Sequence, residues 1–344
     1  MTDAYAAAGV DVDAADAGVR ALVDVLRTID PGRPSRSVVP AGHYASVLRL
    51  TAELGLALCC DGVGTKVIVA EQTGRYDTVG IDCIAMNVND LVCVGAEPLA
   101  VLDYLAVEEP DAEVMRTLGA GLRAGAEAAG VEIPGGEVAQ LPELVRGHPS
   151  PRGFDLTGAA VGTVALDAVV TGEAIAAGDG LIGVPSSGVH SNGLTLARRA
   201  LLDDGGLALD DRPAELGGAS VADALLEPTV IYVRAALDLL RSRIPVHGLA
   251  HITGGGLDNL LRLGSGVGYT VGDPLPAPPV FGLIQRLGGV GDDEMHRVFN
   301  MGCGFVAIVP AERAADAAAL LAAHHPGARP IGEVTDRAGV VTRG

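Results

Sequence analysis

The hexapeptide Asp61-Gly62-Val63-Gly64-Thr65-Lys66 separates two apolar runs with a carboxylate, two glycines, a hydroxyl and an ammonium. Glycine lets backbone amides approach a phosphate, lysine supplies a point charge for it, and aspartate supplies an oxygen for a magnesium ion. Phosphate and metal chemistry is therefore the first candidate, set against the plain turn that Asp-Gly also signals. The order is not that of a P-loop, in which the lysine precedes the hydroxyl residue. Lys66 is the single lysine among 24 basic residues, in a chain that otherwise uses arginine. A guanidinium differs in shape and hydration, so a retained ammonium points to a specific task.

Four further segments carry similar residue types. In GIDCIAMNVNDLVCVGAEPL, 80–99, the polar residues Asp82, Asn87, Asn89 and Asp90 sit in an apolar run that must be largely buried. Each unpaired polar group there would cost about 1–3 kcal/mol, so the set must hold a ligand or satisfy itself. A helix over 86–95 puts Asp90 on the face of Asn87 and turns Asn89 away. PGGEVAQLPELVRG, 134–147, offers Gly135, Gly136 and the carboxylate of Glu137. VPSSGVHSNGLTLARR, 184–199, places Ser186, Ser187, Gly188, His190, Ser191 and Asn192 ahead of a helix, where amides and the dipole attract anions. His190 titrates near neutrality and is a candidate proton carrier. HGLAHITGGGLDNLLRL, 247–263, repeats the logic with His251, Thr253, Gly254 and Gly255. His247 and His251 lack a third ligand at zinc spacing. The five asparagines, Asn87, Asn89, Asn192, Asn259 and Asn300, all fall in or beside such segments.

These residues need a scaffold. Periodicity and β-propensity mark 52–70, 76–86 and 99–107 as β-rich, with helices over 86–95 and 110–130. Further helices are expected around 193–203, 218–224, 228–243 and 312–325, and strands near 266–271 and 303–309. A domain boundary is expected near 165–178, dividing 1–168 from 169–344. At 344 residues the chain suits two domains with substantial cores.

Composition excludes several function classes. A net charge of −19 repels nucleic acid and anionic membrane surfaces. The acidic start, MTDAYAAAGVDVDAADAG, is no secretory signal, and no apolar run is long enough to span a bilayer, so a cytoplasmic location is expected. Cys59, Cys60, Cys83, Cys93 and Cys303 form no C-x-x-C pair, and four lie in apolar surroundings as expected of reduced buried thiols.

In order and spacing, DGVGTK, YDTVGIDCIAMNVNDLVCVGAEPL, GGE, FDLTGAAVG, SSGVHSNG, EPTVIYV, HGLAHITGGG and EMHRVFNMGCG resemble the phosphoribosylformylglycinamidine cyclo-ligase (aminoimidazole ribonucleotide synthetase) family over nearly the whole length. The resemblance implies a mixed α/β, two-domain fold: an N-terminal ATP-binding sheet domain that dimerises, and a C-terminal α/β domain. It implies ATP-dependent ring closure on a small phosphoribosyl substrate through a phosphorylated imidate, with ATP and Mg2+ as cofactors and K+ as a further candidate. On this chain it assigns Asp61, Asp90 and Glu137 to Mg2+, and Asp61, Gly62, Gly64, Thr65, Lys66, Asn89, Asp90, Gly136 and Glu137 to the nucleotide. Ser186, Ser187, Gly188, His190, Ser191, Asn192, Thr253, Gly254 and Gly255 fall to the substrate, and Lys66, His190 and His251 to catalysis. Two segments depart from the family pattern: PAGHYASVL replaces a glycine-rich loop, and GGEVAQLP carries Val138 and Gln140 where a hydroxyl and a carboxylate are usual. Alternatives are a related ATP-dependent enzyme with another acceptor, such as a selenophosphate synthetase or thiamine-phosphate kinase, and a catalytically silent paralogue.

Overall fold

A computed structural model describes residues 5, 8–9, 12–39, 41–264 and 266–343. After a surface helix α1 (Val12–Leu26), the first half builds five strands: β1 (Ser46–Arg49), β2 (Leu54–Gly62), β3 (Glu97–Val107), β4 (Gly136–Gln140) and β5 (Phe154–Ala165). They form one sheet in the order β1-β2-β5-β3-β4, antiparallel except for the β3–β4 pair. Helices α2 (Lys66–Thr73), α3 (Asp77–Cys93) and α4 (Ala112–Ala129) belong to this half, α3 lying on the sheet and α4 on α3. Asp111 caps α4 by accepting from the amides of Glu113 and Val114.

The second half forms a six-stranded sheet from β6 (Gly180–Pro185), β7 (Gly248–His251), β8 (Gly268–Val271), β9 (Cys303–Val309), β10 (Arg329–Thr335) and β11 (Val341–Arg343), in the order β11-β8-β10-β6-β9-β7. Its helices are α5 (Leu194–Arg198), α6 (Val221–Leu226), α7 (Val233–Arg241), α8 (Pro279–Gly288), α9 (Asp292–Val298) and α10 (Ala314–His324). The interior strand β9, between β6 and β7, is buried at every residue, which explains its unbroken apolar run CGFVAIV. No helix among the described residues is long and apolar enough to cross a membrane.

Two expected strands are helices. Residues 77–86 belong to the single helix α3, with Tyr76 as its N-cap, and the apolar run after Lys66 is α2 rather than a continuation of the strand. Helix α3 is buried on almost every side, so apolar residues are spread around it and the period that separates helix from strand is weak. Its packing on α4 depends on two glycines. A Cβ on Gly121 would lie 1.9 Å from the Asp77 carbonyl oxygen, and one on Gly80 would lie 2.3 Å from the Leu122 nitrogen.

The first sheet has one covered and one bare face. Leu48, Leu58, Leu102 and Tyr104 are exposed on the face away from α3, and the register sets Leu58 beside Val161, and both Cys60 and Leu102 beside Ala159. All five thiols are free; Cys83, Cys93 and Cys303 are buried and Cys59 half-buried, whereas Cys60 lies exposed on this bare face. Gly121→Ala is expected to lower stability by about 1–3 kcal/mol, because backbone lies on both sides of the contact. Urea unfolding checks it, with a lower midpoint at an unchanged m-value.

Candidate active site

The 61–66 turn runs from the end of β2 to the start of α2, where the loops preceding α5 and following β7 meet it. Ser191 Oγ donates to the Val63 carbonyl at 2.7 Å, and the hydroxyls of Thr65 and Thr195 lie 2.9 Å apart. A Cβ on Gly254 would stand 3.2 Å from Asn192 Oδ1. The structure therefore gathers the Asp61–Lys66 turn, the 186–193 loop and the 253–255 loop into one place. Asp61, Gly62, Ser186, Ser187, Asn192, Thr253 and Gly255 are half-buried there, and Gly64, Thr65 and Gly254 are exposed.

Two carboxylates, Asp61 and Asp90, lie near enough at this junction for the charge of one to act on the other. Asp90 Oδ1 lies 2.8 Å from His251 Nδ1, and Asn89 Nδ2 approaches His251 Nε2 at 3.4 Å. An amide NH2 only donates, so Nε2 accepts and the imidazole proton sits on Nδ1, directed at Asp90. Burial raises the Asp61 pKa; the Gly62 amide, donating to Asp61 Oδ1 at 2.7 Å, opposes this, and the charge of Asp90 adds to it. Arg262 carries positive charge to the same place, its guanidinium 5.2 Å over the Tyr44 ring.

Asp61 and Asp90 fit a magnesium ion, which takes one or two carboxylates and completes its shell with water and phosphate oxygens. Glu137 does not join them. It pairs in register with Tyr104, on the bare face of the first sheet, whereas its neighbour Gly136 abuts Asp103 on the covered face. Side chains alternate along a strand, so Glu137 stands across the sheet from Asp61. Among the described residues, no three His, Cys, Asp or Glu side chains come together as a metal site.

Six residues expected to touch ligand or act in catalysis are buried instead: Gly188, Ser191, whose hydroxyl is bonded to the Val63 carbonyl, and the four that follow. Lys66 is 0% exposed, its Nζ 2.8 Å from Asp82 Oδ2 and donating to the Glu227 carbonyl at 2.6 Å. Asn89 turns away from the face of Asn87, as expected, yet it is buried there. It donates to the Val230 carbonyl and accepts from the Tyr232 amide, both at 2.9 Å, because the second half covers the side of α3 that the sheet leaves open. His190 is 1% exposed and in the left-handed region at φ 63°, with Nε2 accepting from the Ser187 amide. Burial holds its pKa well below the usual histidine value, so it is a neutral loop-shaping residue rather than a carrier in contact with solvent. His251 is likewise fully buried and acts on Asp90.

Three asparagines that the sequence marks by position, without a role, fasten the loops of this junction. Asn300 donates to the Gly188 carbonyl and accepts from Ser186 Oγ and the Gly302 amide; Asn259 binds the Thr253 amide and Gly254 carbonyl; Asn87 binds both backbone groups of Asp61. The signal was present, since all five asparagines had been singled out by position. His43 and Arg262 had no such signal. Burial lowers the His43 pKa to about 4, helped by Arg262 and opposed by Asp90.

This arrangement is that of a two-part mixed α/β protein: the chain belongs to the AIR synthase related family, whose N-terminal domain matches residues 42–164 and C-terminal domain residues 176–344. It is 47% identical over 335 residues to the phosphoribosylformylglycinamidine cyclo-ligase of Methanothermobacter thermautotrophicus, covering 97% of this chain and 94% of that one. The Thermococcus gammatolerans enzyme of the same name is 47% identical, with 98% and 96% covered. Among solved structures, hydrogenase maturation protein HypE in complex with ATP shares the fold at TM-score 0.62 and 23% identity, covering 87% of this chain and 84% of that one. AaThiL complexed with AMPPCP and TMP does so at TM-score 0.61 and 17% identity, covering 88% and 87%.

Because the Asp61 pKa is raised, the ligand-free fold prefers the protonated acid. Its contribution is present below the ordinary carboxylate pKa of about 4 and is lost as pH rises through the raised value. Asp61→Asn is therefore expected to stabilise the ligand-free protein at neutral pH and to flatten the fall in stability above pH ~4, checked by thermal unfolding across pH.

Proposed function

We propose that this chain closes the imidazole ring of purine biosynthesis, converting formylglycinamidine ribonucleotide and ATP into aminoimidazole ribonucleotide, ADP and phosphate. The observation that carries this reading is the junction of Asp61 and Asp90 with two serine- and glycine-rich loops, in a chain 44–48% identical to curated cyclo-ligases. The ATP-bound and AMPPCP-bound neighbours of the same fold support nucleotide binding by this chain, which we assign to this junction. Their identity of 17–23% leaves the other acceptors less supported than ring closure.

The formamide oxygen attacks the γ-phosphorus of ATP; an O–P bond forms, ADP leaves, and a phosphorylated imidate results. The amidine-side nitrogen then attacks the imidate carbon, the C–O bond to phosphate breaks, and the nitrogen gives up its proton. Magnesium at Asp61 and Asp90 would neutralise phosphate charge. His251 Nδ1 fixes the orientation of Asp90. Gly62, Gly64 and Thr65 offer close backbone approach to the nucleotide, and Ser186, Ser187, Asn192 and Thr253 line the loops assigned to the ribose phosphate. Use of cellular ATP in nucleotide synthesis fits a cytoplasmic enzyme.

The bare face of the first sheet fits a second copy of the chain. Leu48, Leu58, Leu102 and Tyr104 are 37–50% exposed on one face of a sheet whose other face is covered, and a surface of this kind marks an interaction site. We assign it to a homodimer. Leu102→Glu is expected to give a monomer at micromolar concentration, read by size-exclusion chromatography with light scattering; an unchanged mass would place the interface elsewhere.

Incubation with Mg-ATP and formylglycinamidine ribonucleotide is expected to yield ADP, phosphate and the aminoimidazole product one for one. Nucleotide binding without product would assign another acceptor. Asp90→Asn is expected to lower kcat by roughly 100-fold or more while the fold is retained, measured in the same assay.

A further inference from the structure

The segment from Glu227 to Tyr232 enters from the second half and lies against α3. Its Glu227 carbonyl accepts from Lys66, and its Thr229 amide and hydroxyl both donate to Asp82 Oδ1, at 2.8 and 2.6 Å. Asn89 fastens Val230 and Tyr232 to the same helix. On its other side the segment holds the loop preceding α5: Ser187 Oγ donates to the Pro228 carbonyl at 2.6 Å, and Tyr232 Oη donates to the Pro185 carbonyl at 2.8 Å. The segment is thus a strap, bonded to the helix that carries Asp90 and to the loop that carries Ser186 and Ser187.

We propose that Lys66 is a positioning residue that acts through Asp82 and this strap, and that it makes no contact with the nucleotide. A phosphate-binding ammonium must be open to its ligand, and this one is enclosed with two partners already bound. Desolvation disfavours its charge and Asp82 restores it, so the pair holds only while both members are present. The enclosed site also accounts for the single lysine of the chain, since a planar guanidinium is larger and projects its donors in a fixed fork. The consequence for the reaction is a fixed relation between Asp61 and Asp90 on one side of the cleft and the 186–193 loop on the other.

This inference rests on the ring-closing activity for its kinetic test, and a second test is independent of activity. With one lysine in the chain, an amine-directed succinimidyl ester can label only Lys66 and the N-terminal amine. Native protein, with and without Mg-ATP, is expected to take up label at the N-terminus alone, Lys66 reacting only after denaturation. Labelling of native Lys66 that Mg-ATP suppresses would overturn the proposal. In the kinetic test, K66M and D82N each leave one buried charge without its partner and are expected to lower kcat by about 10-fold or more at an unchanged KM for ATP. The double variant removes both charges and is expected to recover kcat to within about 3-fold of the native enzyme. A double variant as slow as K66M, with a raised KM for ATP, would contradict the proposal.

Discussion

The geometry of the cleft depends on one enclosed charge pair. Lys66 and Asp82 are both fully buried, and each also holds a backbone group of the 227–232 strap. A buried pair of this kind adds little net stability, because desolvation of the two charges offsets much of their attraction. Its effect is on geometry: each charge has a single acceptable position, and the strap has to occupy the place where both are satisfied. The two sheets are thereby joined at the point where their loops meet.

Burial then separates the polar residues of the motifs into two sets. Lys66, Asp82, Asn89, His190 and His251 are enclosed, and the hydrogen bonds they make go to one another or to backbone, apart from that of His251 to Asp90 and that of the Thr229 hydroxyl to Asp82. Asp61, Asp90, Ser186, Ser187, Asn192 and Thr253 are only partly buried and keep capacity for a ligand. The enclosed set fixes the orientation of the second, as His251 does for Asp90 and Asn87 for the backbone of Asp61. Preorganised groups of this kind act on developing charge without having to move during the reaction. Ring closure through a phosphorylated intermediate needs that property, because charge is transferred twice within one site.

Much of this was legible in the sequence, for reasons that differ between residues. Strand β9 and helix α4 were readable because one is uniformly apolar and the other amphipathic with a capping aspartate. Helix α3 was misread over its first half because burial on almost every side weakened the periodic signal. The motif residues were found by type and spacing, yet their types do not say which way a side chain faces. Lys66 looked like a phosphate ligand because an ammonium suits both a phosphate and a buried aspartate, and only the enclosure by Asp82 and Glu227 separates the two. Glu137 was grouped with Asp61 by chemistry, and the alternation of β4 set it on the other face of the sheet.

The most direct test of the account is amide hydrogen exchange at Thr229 and Tyr232, whose N–H groups are bonded to Asp82 and Asn89. If the strap is an integral part of the joined fold, both amides exchange only through global unfolding, with the same opening free energy as the core amides of β9. Exchange at a much lower free energy, as for a mobile loop, would mean that the strap detaches on its own, and would contradict the claim that the buried pair sets the cleft.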